Sequence, residues 1–287
     1  MQEKKQGRTH SRWLLPAALV LAGAAWFENF TLSTSTVTAA SAALPEAFSG
    51  LRIVQISDLH GRRFDAESRY LLELVRLQSP DLIALTGDLA DEFTDFSMLP
   101  PLLDGLTALA PTFYVTGNHE WVLSREKREA LFSMLDAAGV VRLQNEYRLL
   151  KKGQASIVLA GVDDPNGPYD QKRPAQLVRE IRQSRGRDAY ILMLSHRNDE
   201  LDLWANMGVQ TVLCGHGHGG IVRLPFVGAV FGTHLDLFPD YTAGLYQKGQ
   251  TSMIVSRGLG GSRKLPLRIG NRPEIVTVIL KAESGKV

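Results

Sequence analysis

Arg52-Ile53-Val54-Gln55-Ile56-Ser57-Asp58-Leu59-His60 is a short, mostly apolar run that stops in an aspartate and a histidine. The same event recurs four times along the chain. Leu82-Ile83-Ala84-Leu85 is followed by Gly87-Asp88, and Phe113-Tyr114-Val115 by Gly117-Asn118-His119-Glu120. Tyr190-Ile191-Leu192-Met193-Leu194 is followed by His196, and the run from Val209 to Cys214 by Gly215-His216-Gly217-His218. Short apolar runs without strict alternation read as strands covered on both faces. In open α/β sheets, ligands bind beyond the carboxyl ends of the strands. Five such ends, each delivering Asp, Asn or His, predict one converging site.

Between these runs lie amphipathic stretches. Asp65 can cap a helix with Leu71, Leu74 and Val75 on one face and Pro80 just past its end. Ser124 can cap a second, running to Ala138 and stopped by Gly139. Pro174 suits the first turn of a third that ends near Ser184, and Asp199 to Met207 reads as a fourth. Tyr147–Lys151 and Ser156–Val162 read as an antiparallel hairpin, and so do Met253–Ser256 and Ile275–Leu280. Alternating strands and helices with added hairpins predict an α/β fold in four layers. In this fold a mixed two-sheet β-sandwich is flanked by helices.

The N-terminus has its own pattern. Lys4, Lys5, Arg8 and Arg12 face only Glu3, and an apolar stretch then runs from Trp13 to Phe27. A basic segment before an apolar one is the pattern of an export signal. Fifteen helical residues reach only about 22 Å, short of the roughly 30 Å hydrocarbon core. The segment 1–30 is therefore expected to be a signal-anchor or transmembrane segment, leaving the rest of the chain outside the cytoplasm. Secretion after cleavage is the alternative. Residues 31–43, rich in Ser, Thr and Ala, read as a linker or an edge strand, and 44–282 as the catalytic domain.

A formal net charge of +2 over 287 residues gives no broad basic field, so no nucleic-acid partner is expected. Cys214 is the single cysteine, which excludes an internal disulfide and a thiolate metal cage. Of seven histidines, five fall in the five turns; only His10 and His234 lie elsewhere. Imidazole with carboxylate suits Zn, Fe, Mn or Ni. About seven protein ligands are too many for one tetrahedral metal and right for two that share a carboxylate. Two metals roughly 3.5–4 Å apart clamp the attacking and leaving oxygens of an in-line displacement, which points to phosphate-ester hydrolysis.

The order D-x-H, GD, GNH(D/E), single His, GHxH from Asp58 to His218 resembles the calcineurin-like metallophosphoesterase superfamily. Gly50 to His60, Gly215 to Gly220 and Ser256-Arg257-Gly258-Leu259-Gly260 resemble its bacterial membrane-associated branch, related to the YaeI and YkuE phosphodiesterases. The likeness covers about residues 44 to 282. One departure is Gly217, where that branch more often has Thr. The resemblance implies a metallo-dependent phosphatase fold and two divalent or transition metal ions, Mn, Fe or Zn. Asp58, His60 and His218 would hold the first ion, and Asn118, His196 and His216 the second. Asp88 would bridge them, with a bridging hydroxide as nucleophile and His119 as the catalytic histidine that is not a ligand. Asp91 and Glu120 would position ligands.

Arg62, Arg63, Arg257, Arg263 and Lys264 are candidates to receive a phosphate. The stretch Asp236 to Gly244 reads as a loop walling the cleft. The expected substrate is a phosphodiester or pyrophosphate of the membrane or cell envelope, lipid-linked in one version. Cleavage of UDP-2,3-diacylglucosamine is one alternative, and a non-catalytic metal-binding scaffold another.

Overall fold

In the run Arg52–Ile56, Ile53 is buried toward one set of neighbours and Val54 toward another, as a strand covered on both faces requires. The computed structural model describes residues 11–233, 235–261 and 268–283. In chain order these form α1 (Ser11–Phe30), β1 (Ser33–Ser41), β2 (Arg52–Ile56), α2 (Arg69–Leu77) and β3 (Leu82–Thr86). Next come α3 (Leu99–Leu109), β4 (Thr112–Val115), α4 (Asn118–Val122), α5 (Arg125–Ala137) and β5 (Val141–Arg142). The second half has β6 (Glu146–Lys152), β7 (Ala155–Gly161), α6 (Pro174–Arg185), β8 (Ile191–Leu194), α7 (Leu201–Asn206) and β9 (Thr211–Cys214). It ends with β10 (Val222–Leu224), β11 (Gly228–Phe231), β12 (Gly244–Lys248), β13 (Thr251–Val255) and β14 (Glu274–Ala282).

Two six-stranded mixed sheets result, ordered β1-β14-β2-β3-β4-β5 and β12-β13-β9-β8-β7-β6. Within them β2 to β5 are parallel, as are β7, β8, β9 and β13. Ile53, Ala84, Leu159, Leu192, Leu213 and Val278 come from both sheets and share one buried cluster, so the sheets pack face to face. Val54 and Leu85 pack with Leu71, Leu102 and Leu131 of α2, α3 and α5 on one outer face. Met193 and Val212 pack with Ile181 of α6 and the fully buried Trp204 of α7 on the other. The layers are helix, sheet, sheet, helix, as the alternation implied.

Three local readings meet their structures. Ser124 caps α5 by accepting from Lys127 N at 3.3 Å, and Gly139 closes it with φ +78°. Asp65 accepts from Arg69 N and Tyr70 N at 2.9 and 2.6 Å and so caps α2, although two residues separate it from Ser68 at the helix start. Met253–Ser256 and Ile275–Leu280 do not form a hairpin. β13 pairs with β12 and β9, whereas β14 pairs with β1 and β2 in the other sheet. The tight turn at Gly249 gives β13 a nearer antiparallel partner in β12.

Ser33–Ser41 aligns in parallel with all nine residues of β14 as an edge strand, so the sheet begins ahead of residue 44. No helix among the described residues is long and apolar enough to cross a membrane. Lys4, Lys5 and Arg8 lie outside the described residues, as do His10, His234, Arg263 and Lys264.

Candidate metal centre

The carboxyl ends of β2, β3 and β4 from one sheet meet those of β8 and β9 from the other. Two of the turns require glycine. Gly87 has φ +87°, and a Cβ there would lie 2.6 Å from Gly117 N; a Cβ on Gly215 would overlap Ser57 and Asp58. The functional residues themselves adopt the left-handed backbone, with φ of 50° at Asp58, 48° at His60, 52° at Asp88, 65° at His216 and 50° at His218. Such conformations are uncommon outside glycine and cluster at functional sites.

Asp88 stands at the centre. Its Oδ1 accepts from His119 N at 2.8 Å, which leaves Oδ2 facing His60 Nε2 at 3.6 Å and His196 Nε2 at 3.2 Å. Asp58, His60, Asp88 and His218 present ligand atoms all within 4.8 Å of one another, and Asp88, His196 and His216 do the same. His196 Nδ1 bonds Thr86 O at 2.8 Å. Donation to that carbonyl fixes the tautomer and leaves Nε2 as a lone pair. That lone pair lies 3.2 Å from Asn118 Oδ1 and 3.2 Å from His216 Nδ1. All seven predicted ligands are thus brought together in two groups joined at Asp88, and His119 lies beside them, its ring edge-on to His60 at 4.7 Å.

A cation suits this arrangement. Both ring nitrogens of His60 and Nδ1 of His218 are buried without a hydrogen-bond partner, and Asp58 and Asp88 are buried carboxylates. Buried lone pairs converging without donors are costly unless a positive ion satisfies them. The electrostatics agree. Burial drives the Asp58 carboxyl upward, while at Asp88 the nearby His196 and His60 outweigh burial and hold the carboxyl far below the usual range. Burial would lower His196, but Asp88 and Asp58 raise it to about 10, so without an ion a proton takes the place on Nε2 that a metal would occupy.

Surrounding groups hold the ligands in place. The buried Glu120 carboxylate accepts from Asp88 N and Gly117 N on one oxygen, at 3.0 and 2.7 Å, and from Leu89 N and Ala90 N on the other, at 2.7 and 3.3 Å. Four donors from two turns converge on one side chain, which fixes Asp88 relative to Asn118. Asp91 Oδ2 lies 3.7 Å from His60 Nδ1. Asn271 Nδ2 and Arg268 Nη1 both donate to His218 O, at 2.9 and 3.2 Å, and both side chains are buried.

Arg197 went unread in the sequence. It follows His196 directly, its Nη1 lies 3.1 Å from His216 Nε2, and its guanidinium grips buried Asp164 through Nε at 2.6 Å and Nη2 at 3.1 Å. A signal existed, because Asp163-Asp164 follows the apolar strand β7 as the other site residues follow theirs. Arg197 borders two cavities. One, of about 320 Å³, also has His196, Asp164, Glu200 and Lys172 in its wall; the other, of about 400 Å³, has His216, Asp236, Pro239 and Tyr241. The stretch 236–244 therefore contributes to a cleft wall through residues 236 and 239–242.

Asn198 Nδ2 holds that stretch by donating to Tyr241 O at 2.8 Å, and it lies 2.6 Å from where a Cβ on Gly217 would sit. A threonine at 217 would need Asn198 to move. Three of the other proposed phosphate receivers are engaged elsewhere: Arg62 with Asn29 O and the Phe30 ring, Arg63 with Asp95, and Arg257 with Glu274.

The profile of the calcineurin-like phosphoesterases matches residues 51–220, the span from β2 to the turn after His218. The chain belongs to that family. As a calcineurin-like phosphoesterase it is a metallophosphoesterase, a hydrolase of phosphoric esters. It is 32% identical to the uncharacterized metallophosphoesterase YkuE of Bacillus subtilis, over 90% of this chain and 89% of that protein. It is 31% identical to the phosphodiesterase YaeI of Escherichia coli, over 80% and 82%. A transmembrane protein with metallophosphoesterase domain from Danio rerio is 26% identical over 83% of this chain and 55% of its own length.

Proposed function

We propose that this phosphoesterase hydrolyses phosphodiester or pyrophosphate bonds with two transition metal ions, Mn, Fe or Zn. Asp58, His60, Asp88 and His218 hold one ion, and Asp88, Asn118, His196 and His216 the other. The observation that carries this reading is Asp88, whose Oδ2 faces both groups at 3.6 and 3.2 Å while its Oδ1 is occupied by a backbone donor. Such a metal pair, when bound, supplies Lewis-acid charge and lowers the pKa of a water to roughly 7.

The chain's own residues do the rest. Arg197, pinned by Asp164, offers Nη1 to a phosphate oxygen at the His216 side. His119 lies beside the first group without belonging to either and protonates the departing oxygen. Cavities of about 320 and 400 Å³ on either side of Arg197 give room for two ester substituents, which favours a diester over a monoester.

The substrate is one of the membrane or cell envelope, and the N-terminal segment holds the catalytic domain at the outer face of the membrane. The basic Lys4, Lys5, Arg8 and Arg12 before an apolar stretch support this, as does a relative named as a transmembrane protein. The test is metal analysis of active protein with bis-p-nitrophenyl phosphate, phosphomonoesters and a nucleotide-lipid such as UDP-2,3-diacylglucosamine. Two ions per chain and turnover of the diester are expected. Asp88→Ala should lose both ions and activity; His119→Ala should keep the ions and lose rate. Zero or one ion in active protein overturns the reading, and an inert protein with both ions bound would make it a scaffold.

A further inference from the structure

Residues 221–238 carry an apolar surface that the metal centre does not use. Phe226, at the tip of the β10–β11 hairpin, is fully exposed, and its neighbours Leu224 and Val227 are exposed too. Leu235, Leu237 and Phe238 follow on the next loop, at 57%, 68% and 64% exposure. Apolar side chains on a soluble surface are usually scattered singly. Here six large ones fall within fifteen residues. Phe226, Leu235 and Phe238 also hold left-handed backbone, with φ of 65°, 66° and 51°. Bulky residues adopt that conformation at a cost, and these three gain no burial from it.

The hairpin is tied to the end of α1. Exposed Ile269 pairs with β10: its N donates to Ile221 O at 3.0 Å, and its O accepts from Arg223 N at 2.8 Å. The adjacent Arg268 exchanges two hydrogen bonds with Asn29 of α1, at 2.8 and 3.0 Å. Trp26, Phe27 and Phe30, on that end of α1, are exposed as well. Other parts of the same segment face the catalytic side, because Gly232, Asp236, Pro239 and Tyr241 line the cavity that His216 borders.

We infer that the β10–β11 hairpin and the loop 235–238 form a membrane-docking surface, beside α1, that seats the cavity next to His216 at the headgroup layer. Position favours a lipid occupant. The surface lies on the side of α1 where the apolar stretch Trp13 to Phe27 ends in exposed Trp26, Phe27 and Phe30, the point at which a membrane segment would hand the chain over to the outer headgroup layer. Aromatic and aliphatic side chains beside such a segment suit the boundary between headgroups and acyl chains. The inference deepens the membrane-substrate reading and names the class: a phosphodiester borne by an amphiphile, reached from the bilayer surface.

Phe226→Cys in the full chain gives a labelling site, because Cys214 is buried. An environment-sensitive dye on that thiol should brighten and shift blue with phosphatidylcholine–phosphatidylglycerol vesicles, and a shallow spin-labelled lipid should quench it. Phe226→Asp/Val227→Asp should bind those vesicles at least about tenfold more weakly, the loss expected when two buried apolar groups become charged. Its turnover of soluble bis-p-nitrophenyl phosphate should equal that of the unmodified protein, so failure of the phosphodiesterase reading shows separately. A dye signal that stays water-like with vesicles overturns the inference. So does unchanged vesicle binding by the aspartate variant. A blue-shifted dye without lipid, together with a dimer that the aspartates dissolve, would assign the surface to a second copy instead.

Discussion

Replacing Glu120 by Gln changes one atom and little shape, and it should be among the more damaging substitutions near the centre. Each carboxylate oxygen of Glu120 accepts two backbone N–H groups. A glutamine can offer only one oxygen, and its NH2 must then face two N–H donors that it cannot satisfy. A buried donor left without an acceptor costs about 1–3 kcal/mol, so two cost about 2–6 kcal/mol. Against the total of about 5–15 kcal/mol typical of a domain, that is a large fraction. Urea unfolding of chelator-treated protein removes metal binding from the comparison. It should be run at about pH 8, where the carboxylate is ionised even though burial and Asp88 push it up to about 7. Asp88 N is one of the released donors, so metal affinity measured on refolded variant should fall as well. Part of the stability loss is offset, because glutamine also removes the cost of ionising a carboxyl that the fold raises to about 7; a metal affinity equal to that of the unsubstituted protein would therefore be the result that refutes the clamp.

Arg197→Lys keeps the charge and loses the fork that grips Asp164. It should raise KM for a diester about tenfold or more with metal content unchanged, as steady-state kinetics and metal analysis on one preparation would show. Glu200, in the wall of the smaller cavity, is raised to about 7 by burial and by Asp199. The folded protein keeps that proton between about pH 4.5 and 7 while the unfolded chain has released it, so stability falls as pH rises through the window. Glu200→Gln should abolish that slope and gain about 2 kcal/mol at about pH 8 but nothing below about pH 4.5, read from urea midpoints.

The strand ends were legible because parallel strands buried on both faces leave uninterrupted apolar runs, and the residue after each run is free to be chemical. Helix α3 was not. Leu99-Pro100-Pro101 and Gly105 are residue types that disfavour a helix interior, yet the prolines occupy the first turn, where a missing N–H costs nothing, and a Cβ at Gly105 would collide with Leu72. Edge strand β1 has alternating exposure and a Ser/Thr composition that also suits a linker; its pairing with β14, some 240 residues away, decides the matter. Arg197 was passed over because a lone arginine after a histidine carries no periodic signal, and its importance comes from Asp164, which another strand delivers.

The division of ligands between the sheets ties metal binding to the closure of the sandwich. Asp58, His60, Asp88 and Asn118 come from the ends of β2, β3 and β4, whereas His196, His216 and His218 come from β8 and β9. Each group draws on both sheets: His218 completes the first, and His196 and His216 complete the second. Neither sheet alone assembles either group. The buried cluster shared by the two sheets holds them face to face, and a polar contact joins them beneath the centre: Gln55 of β2, fully buried, donates to Cys214 O at 2.8 Å across to β9 and to Thr86 Oγ1 at 3.0 Å. An ion that binds only the closed sandwich stabilises it by the logarithm of its concentration over Kd. The same free energy therefore appears as metal affinity when the sheets are in register and as sheet cohesion when the metal is present.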